Sequence, residues 1–135
     1  MSGVAIVRAL LAADPRVTAL VQPSNIVAGI LRQRTILPAI GVHKIYGSEQ
    51  ETTARNLPNR MIRQRVQVTV LAKDYPTMER ILKAASLGRG MHTGEVVGFK
   101  VRSVIPWGEN PEIPPGDDGI YEQSRDFMVT FIEAN

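Results

Sequence analysis

The residues of this sequence that could carry chemistry are few and widely separated. Its two histidines, His43 and His92, are far apart, and neither lies at the spacing of a metal-ligand motif. His43 sits in an apolar, strand-like stretch, which favours a structural histidine held by hydrogen bonds over a catalytic base. Cysteine is absent, so thiolate nucleophiles, disulfides and cysteine-ligated metal sites are excluded.

Motifs typical of enzymes are also missing from the sequence. Asp117-Asp118-Gly119 could contact a cation, but adjacent side chains of an extended chain point to opposite sides, so a turn is favoured. The glycine-rich stretch 88–94 follows a predicted helix and precedes a predicted strand, the reverse of a dinucleotide-binding unit. The sequence contains no phosphate-binding loop, no nucleophile elbow and no zinc-binding His-Glu-x-x-His. We therefore expect a protein that is not an enzyme and needs no cofactor or metal.

The most suggestive charged residues are basic ones in or near a single strand. They are Arg55, Arg60, Arg63 and Arg65, with Lys100 and Arg102 on a strand that could lie nearby. Three interpretations stay open: contact with nucleic-acid phosphates, contact with an acidic protein, and a solvated outer face of a sheet. Against nucleic acid, no aromatic side chains are interleaved with these residues, and aromatics make up only 5% of the chain.

An acidic, proline-rich segment is the second candidate. Residues 106–119 hold four prolines, three glycines, four acids and no bases, which predicts a long irregular loop. Loops of this length are uncommon in a compact domain and are often functional. Trp107 and Ile113 could anchor an interface there, or Trp107 could instead cover its own sheet. The acids around them are Glu109, Glu112, Asp117 and Asp118.

Length and composition place these residues in one domain. The chain has 135 residues, 44% of them hydrophobic and 21% charged, which is enough apolar mass for one core. No apolar run reaches the roughly 18 residues of a membrane span. The first residues lack the basic start of a signal peptide. We therefore expect no membrane partner and a protein kept or assembled inside a cell.

The net charge of +3 hides a strong asymmetry along the chain. Residues 1–105 carry 15 basic and 6 acidic side chains, whereas residues 106–135 carry 1 basic and 7 acidic ones. Such a division is typical of a nucleic-acid surface with an acidic tail. It also fits a subunit in which one part complements another part of its neighbour.

The spacing of apolar residues predicts two main helices. Val4, Val7 and Leu11 form the apolar stripe of the first, and Asp14-Pro15 interrupts the chain and starts a short helical piece. Asp74-Tyr75-Pro76 opens the second main helix, which Gly88 ends.

Alternating patterns predict five strands, at residues 26–34, 39–46, 60–72, 96–105 and 120–132, with a polar loop over 47–59. In the clearest strand, Gln64, Val66 and Val68 share one face and Arg63, Arg65 and Gln67 the other, which favours an antiparallel sheet. The predicted fold class is therefore α+β, a single domain over residues 1–135. Its two main helices pack on one face of a mainly antiparallel sheet.

The order of these segments resembles the tail completion, or tail terminator, proteins of long-tailed bacteriophages and prophages. The resemblance spans nearly the whole chain and rests on pattern rather than on a catalytic signature. The matching segments are Leu10–Val21, Leu37–Ile40, Arg65–Val68, Tyr75–Glu79 and Gly119–Val129.

The resemblance implies a virion structural protein that works by binding alone. Such proteins form a ring, commonly of six subunits, on the end of the tail tube, where they stop polymerisation and join the tail to the head–neck connector. The implied partners are further copies of the chain, the tail tube protein and the connector protein. The implied location is the tail or neck of the virion after assembly in the host cytoplasm, and DNA is met only as it passes through the ring.

A closed ring needs two different, complementary patches on each subunit, and the basic and acidic parts of the chain are candidates for them. We hypothesise that the segment from Trp107 to Asp118 reaches the neighbouring subunit near the Arg60–Arg65 strand. The alternative is a small nucleic-acid-binding module that uses the same strand.

Overall fold

The structure is a computed structural model, and it describes residues 2–29, 36–49, 59–87 and 94–134. The helices are α1 (Ser2–Ala13), α2 (Pro15–Thr18) and α3 (Tyr75–Ala84), with a 3₁₀ turn at Pro23–Asn25. The strands are β1 (Ile26–Ala28), β2 (Ala39–Glu49), β3 (Asn59–Ala72), β4 (Gly94–Val96), β5 (Phe99–Glu109) and β6 (Tyr121–Ala134). None of the helices in these ranges has the length and apolar character needed to cross a membrane.

An aspartate caps each of the two α-helices that have a proline in the first turn, α2 and α3. The Asp14 carboxylate accepts a 2.9 Å hydrogen bond from the Arg16 amide before α2. Asp74 accepts one of 2.9 Å from the Thr77 amide before α3, and hydrogen bonding to Thr77 lowers the pKa of Asp74. Each carboxylate satisfies an amide that has no partner within the first helical turn, which confirms the predicted helix starts.

The strands form one mixed, curled sheet in the order β1-β2-β3-β6-β5-β4. β1 runs parallel to β2, and every other neighbouring pair is antiparallel. β3 and β6 pair in continuous register from Asn59 opposite Ala134 to Ala72 opposite Tyr121. The α+β class and the mainly antiparallel sheet are as predicted.

One face of β3 belongs to the hydrophobic core. Its even-numbered residues from Ile62 to Ala72 are all buried, as the alternation predicted. All of them except Gln64 form a single cluster with the apolar stripe of α1, with Met78 and Ile81 of α3, and with the alternate residues of β6 from Phe127 to Phe131. We call this side of the sheet the core face. The opposite side, which carries Arg63, Arg65 and the next odd-numbered residues of β3, is the open face.

The strand predicted over residues 96–105 is found from residue 99 onward, within β5, but the chain turns back at its predicted start. β4 ends at Val96, and Val97 and Gly98 take left-handed backbone angles of +45° and +83° before β5 begins. Glycine adopts this conformation without a steric penalty. Two register shifts, at Arg102 and Trp107, then interrupt the alternation of β5 and place both Val101 and Val104 in the core.

The predicted loop over residues 106–119 is also too long. Residues 106–109 continue β5 against β6, and Ile113 makes a further bridge to Glu122. The first part of the irregular segment is therefore held beside β6.

The other strand predictions agree with the described residues. β2 runs three residues beyond its predicted end at Tyr46, into the predicted loop, and β3 and β6 match their predictions within two residues. Of the strand predicted over 26–34, β1 accounts for the first three residues, and the part over 30–34 lies outside the described residues. The predicted helix end at Gly88 also lies outside them.

Candidate interface on the open face of the sheet

The half of the open face nearest the C-terminal end of β3 forms a groove of about 660 Å³. Three strands make its floor, and the segment 110–114 after β5 makes a wall. The floor residues are Gly41 and His43 of β2, Gln67, Thr69 and Leu71 of β3, and Glu122 and Ser124 of β6. The groove is therefore a concavity lined by both apolar and polar groups, with a wall that contains two prolines and Ile113.

Asn110 fixes the wall of the groove to β6. Its backbone amide donates to the Ser124 carbonyl at 2.9 Å, and its carbonyl accepts from Gln123 Nε2 at 3.3 Å. Its side-chain Nδ2 donates to Ser124 Oγ at 2.9 Å and to Asp126 Oδ1 at 3.0 Å. One residue thus makes four hydrogen bonds, which set where the irregular segment leaves the sheet.

Asp126 is a buried carboxylate on the open face. It is only 1% exposed, and Arg65 Nε donates to its Oδ2 at 2.6 Å. Beside this pair, Gln67 Nε2 donates to Ser124 Oγ at 3.0 Å. Burying a charge is costly unless it is paired, so Arg65 is used to neutralise Asp126 within the chain.

Glu112 lies at the rim of the groove and is tied to α3. The Tyr75 hydroxyl donates a hydrogen bond to the Glu112 carboxylate, and the ring of Tyr75 packs edge-on against Tyr121 at 5.9 Å. The bond to Glu112, with a smaller contribution from Glu79, raises the pKa of Tyr75 because both carboxylates favour the protonated phenol.

The other half of the open face bears an exposed cation and an exposed aromatic ring. Arg63 is exposed on β3, and Tyr46, which is opposite Arg65 on β2, is 59% exposed. Ser48 is opposite Arg63, so Tyr46 and Arg63 are diagonal neighbours on adjacent strands, a spacing at which long side chains meet. Arg63 has no ion-pair partner among the residues that the structure describes. We call Tyr46 and Arg63 the Tyr–Arg pair.

The structure divides the arginines that the sequence grouped together. Arg63 and Arg65 share the open face, but the alternation of β3 puts Arg60 on the opposite side, where it contacts Glu133 at 3.3 Å. Lys100 is on the open face as well, but on β5, two strands away from β3. Arg55 lies outside the described residues.

The residues predicted on the acidic segment are also separated by the fold. Glu109 contacts Arg125 at 2.6 Å across the β5–β6 pair. Trp107 lies at a register shift of β5 and is 46% exposed, and Ile113 is 53% exposed in the groove wall. Asp117 and Asp118 are exposed, and Asp118 accepts a hydrogen bond from the Ile120 amide at 3.1 Å, which fits the predicted turn.

Sequence reasoning missed four polar residues that line the groove and the buried carboxylate beside it, namely Gln67, Asn110, Glu122, Ser124 and Asp126. A signal for three of them was present, because Glu122, Ser124 and Asp126 alternate along β6 as the polar counterpart of the buried Phe127 and Phe131. Asn110 gave no such signal. Within the described ranges, no group of three or more histidine, aspartate or glutamate side chains could hold a metal ion.

Comparison with known proteins gives a match at the level of structure alone. No protein family matches the sequence, and no curated protein does. The structure is similar to a chain of a solved particle described as the virion of a native gene transfer agent (GTA) particle, at 12% sequence identity and a TM-score of 0.66. The match covers 98% of this chain and 97% of that one. The likeness is one of fold.

Proposed function

We propose that the protein is a structural component of a phage-like virion and acts by binding, without catalysis. The observation that carries this proposal is the fold likeness to a chain of the gene transfer agent virion, which extends over 98% of this chain.

Within the virion, we propose that the protein forms a ring, commonly of six subunits, on the end of the tail tube. The ring stops tube polymerisation and meets the head–neck connector, so the protein resides in the tail or neck and DNA passes through it. The sequence resemblance to tail terminator proteins supports this position. In this arrangement α1 and α3, the two main helices, pack on the core face, and the open face is available to partners.

The alternative, a nucleic-acid-binding module on the Arg60–Arg65 strand, receives less support from the geometry. Arg65 is paired with the buried Asp126, and Arg60 contacts Glu133 on the other side of the sheet. A strand whose arginines are divided between two faces and two carboxylates presents no continuous row of cations to a phosphate backbone. A gel shift with DNA fragments at low and moderate salt tests this alternative, and we expect no salt-sensitive complex.

Electron microscopy of the purified protein, alone and mixed with tail tubes of the same particle, tests the proposed position. We expect rings of uniform diameter and one ring at a single end of each tube. The tube preparation without the protein is the control. Protein that stays monomeric at high concentration and leaves every tube end bare would overturn the proposal.

A further inference from the structure

We propose that the groove of one copy of this chain receives the Tyr–Arg pair of the next copy, so that subunits associate head to tail through their open faces. This inference rests on the proposed ring and names the surfaces that would form it. The occupant of the groove is thus a second copy of the chain, with Arg63 meeting the carboxylates of Glu122 and Glu112.

The groove and the Tyr–Arg pair complement one another in charge and in shape. Glu122 on the floor and Glu112 at the rim give the groove a negative character, and Arg63 is an exposed cation. Tyr46 supplies a large exposed ring for a concavity walled by Pro111 and Pro114. Tyrosine and arginine are enriched among the residues that dominate protein interfaces, especially where they fill a pocket.

Within one chain, Arg63 cannot contact Glu122. Arg63 is opposite Thr130, and Glu122 lies eight positions away from Thr130 along the same continuous strand. At about 3.3 Å per residue, this separation is about 26 Å, far beyond the reach of an arginine side chain. Because both partners are fixed on long, paired strands, only a second molecule can bring Arg63 to Glu122.

The groove and the Tyr–Arg pair are different surfaces, so each copy can use its groove toward one neighbour and its pair toward the other. Such a heterologous contact repeats around a ring when the rotation between copies closes. This is the type of interface that the proposed ring requires.

Paired charge reversal tests the inference. The variants are Arg63→Glu, Glu122→Arg and the double variant that carries both, with the assembled mass measured by light scattering over a concentration series. Each single variant should raise the concentration needed for assembly by about tenfold or more, because like charges then face each other in every contact. The double variant, and an equimolar mixture of the two single variants, should restore assembly, because every contact again joins opposite charges.

Matched controls separate this contact from a general effect of charge. Arg80→Glu on α3 and Glu95→Arg on β4 make the same changes in charge at exposed positions outside the groove, the Tyr–Arg pair and the acidic segment. Both should assemble like the wild type. Circular dichroism establishes that each variant is folded, and Glu122→Gln, a milder change, should give a smaller loss of assembly if Glu122→Arg does not fold.

The outcomes distinguish this inference from the proposed function. Single reversals that assemble like the wild type, or a double variant no better than the single ones, would overturn the inference even if wild-type rings cap tail tubes. Wild-type protein that assembles and responds to the reversals as expected, but ignores tube ends, would support the inference and overturn the proposed position in the tail.

Discussion

Asp126 and Asn110 show how single polar residues determine the form of the open face. Asp126 is buried there and is satisfied by Arg65 and Asn110, and Asn110 also holds the start of the irregular segment to Ser124. Asp126 and Asn110 thus serve to position the backbone of the irregular segment against β6. The exposed residues Tyr46 and Arg63, and Glu122 in the groove, are left for contact with a partner.

Asn110→Ala should destabilise the fold because it removes both side-chain hydrogen bonds and leaves an acceptor of the buried Asp126 unsatisfied. We expect a loss of about 1–3 kcal/mol in the free energy of unfolding. Chemical denaturation measures this change. Asp117→Ala is the control in the same segment and should change the free energy by no more than about 0.5 kcal/mol. Equal effects of the two substitutions would contradict the role assigned to Asn110.

Tyr75→Phe should change how stability depends on pH in alkaline solution. The folded state raises the pKa of Tyr75 above its ordinary value of 10.0, so the Tyr75–Glu112 bond contributes fully below pH 10. As the pH rises through the folded-state pKa, the phenol ionises and this contribution is lost. The melting temperature of the wild type should therefore fall faster above pH 10 than that of Tyr75→Phe. If the melting temperatures of the two proteins fall in parallel as the pH rises, the Tyr75–Glu112 bond does not contribute to stability.

At the scale of elements, the sequence predicted the features that depend only on neighbouring residues. Short stretches of sequence are enough to predict the capping aspartates before α2 and α3 and the alternation of β3. The structure contains all of these features. The β4–β5 hairpin was missed because Val96 and Val97 continue an apolar run through the turn. The register shifts of β5 depend on its pairing with β6, a contact between distant residues that alternation within one strand does not report.

Gly98→Ala tests the hairpin that the sequence did not predict. Gly98 has a φ of +83°, and a Cβ there would meet nothing within 4 Å, so the cost of alanine comes from the backbone angle alone. We expect a loss of about 1–2 kcal/mol in the free energy of unfolding. Gly116→Ala is the matched control, because its Cβ would make only an ordinary 3.7 Å contact with Asp118 and its φ is not left-handed. If Gly98→Ala is as stable as Gly116→Ala, the turn does not need a left-handed residue.

For the whole molecule, the charge asymmetry of the sequence indicated complementary surfaces but not where they lie. Composition cannot show that Arg65 neutralises Asp126, that Arg60 and Arg63 face opposite sides, or that segment 110–114 walls a groove. The Arg65–Asp126 pair depends on the pairing of β3 with β6, which joins residues about sixty positions apart in the chain, and the groove wall depends on how the segment after β5 is held to β6. The separation of Arg60 from Arg63 follows from alternation within β3. In place of this broad electrostatic hypothesis we propose one specific contact, between the groove of one copy and the Tyr–Arg pair of another.

The growth of tail tubes in the presence of the purified protein tests the central claim most directly. Tubes are supplied with excess tube protein, with and without this chain, and their lengths are measured by electron microscopy over time. The account predicts that the chain stops elongation at once and that each arrested tube bears one ring at its growing end. Tubes that lengthen at the same rate with and without the chain would contradict it.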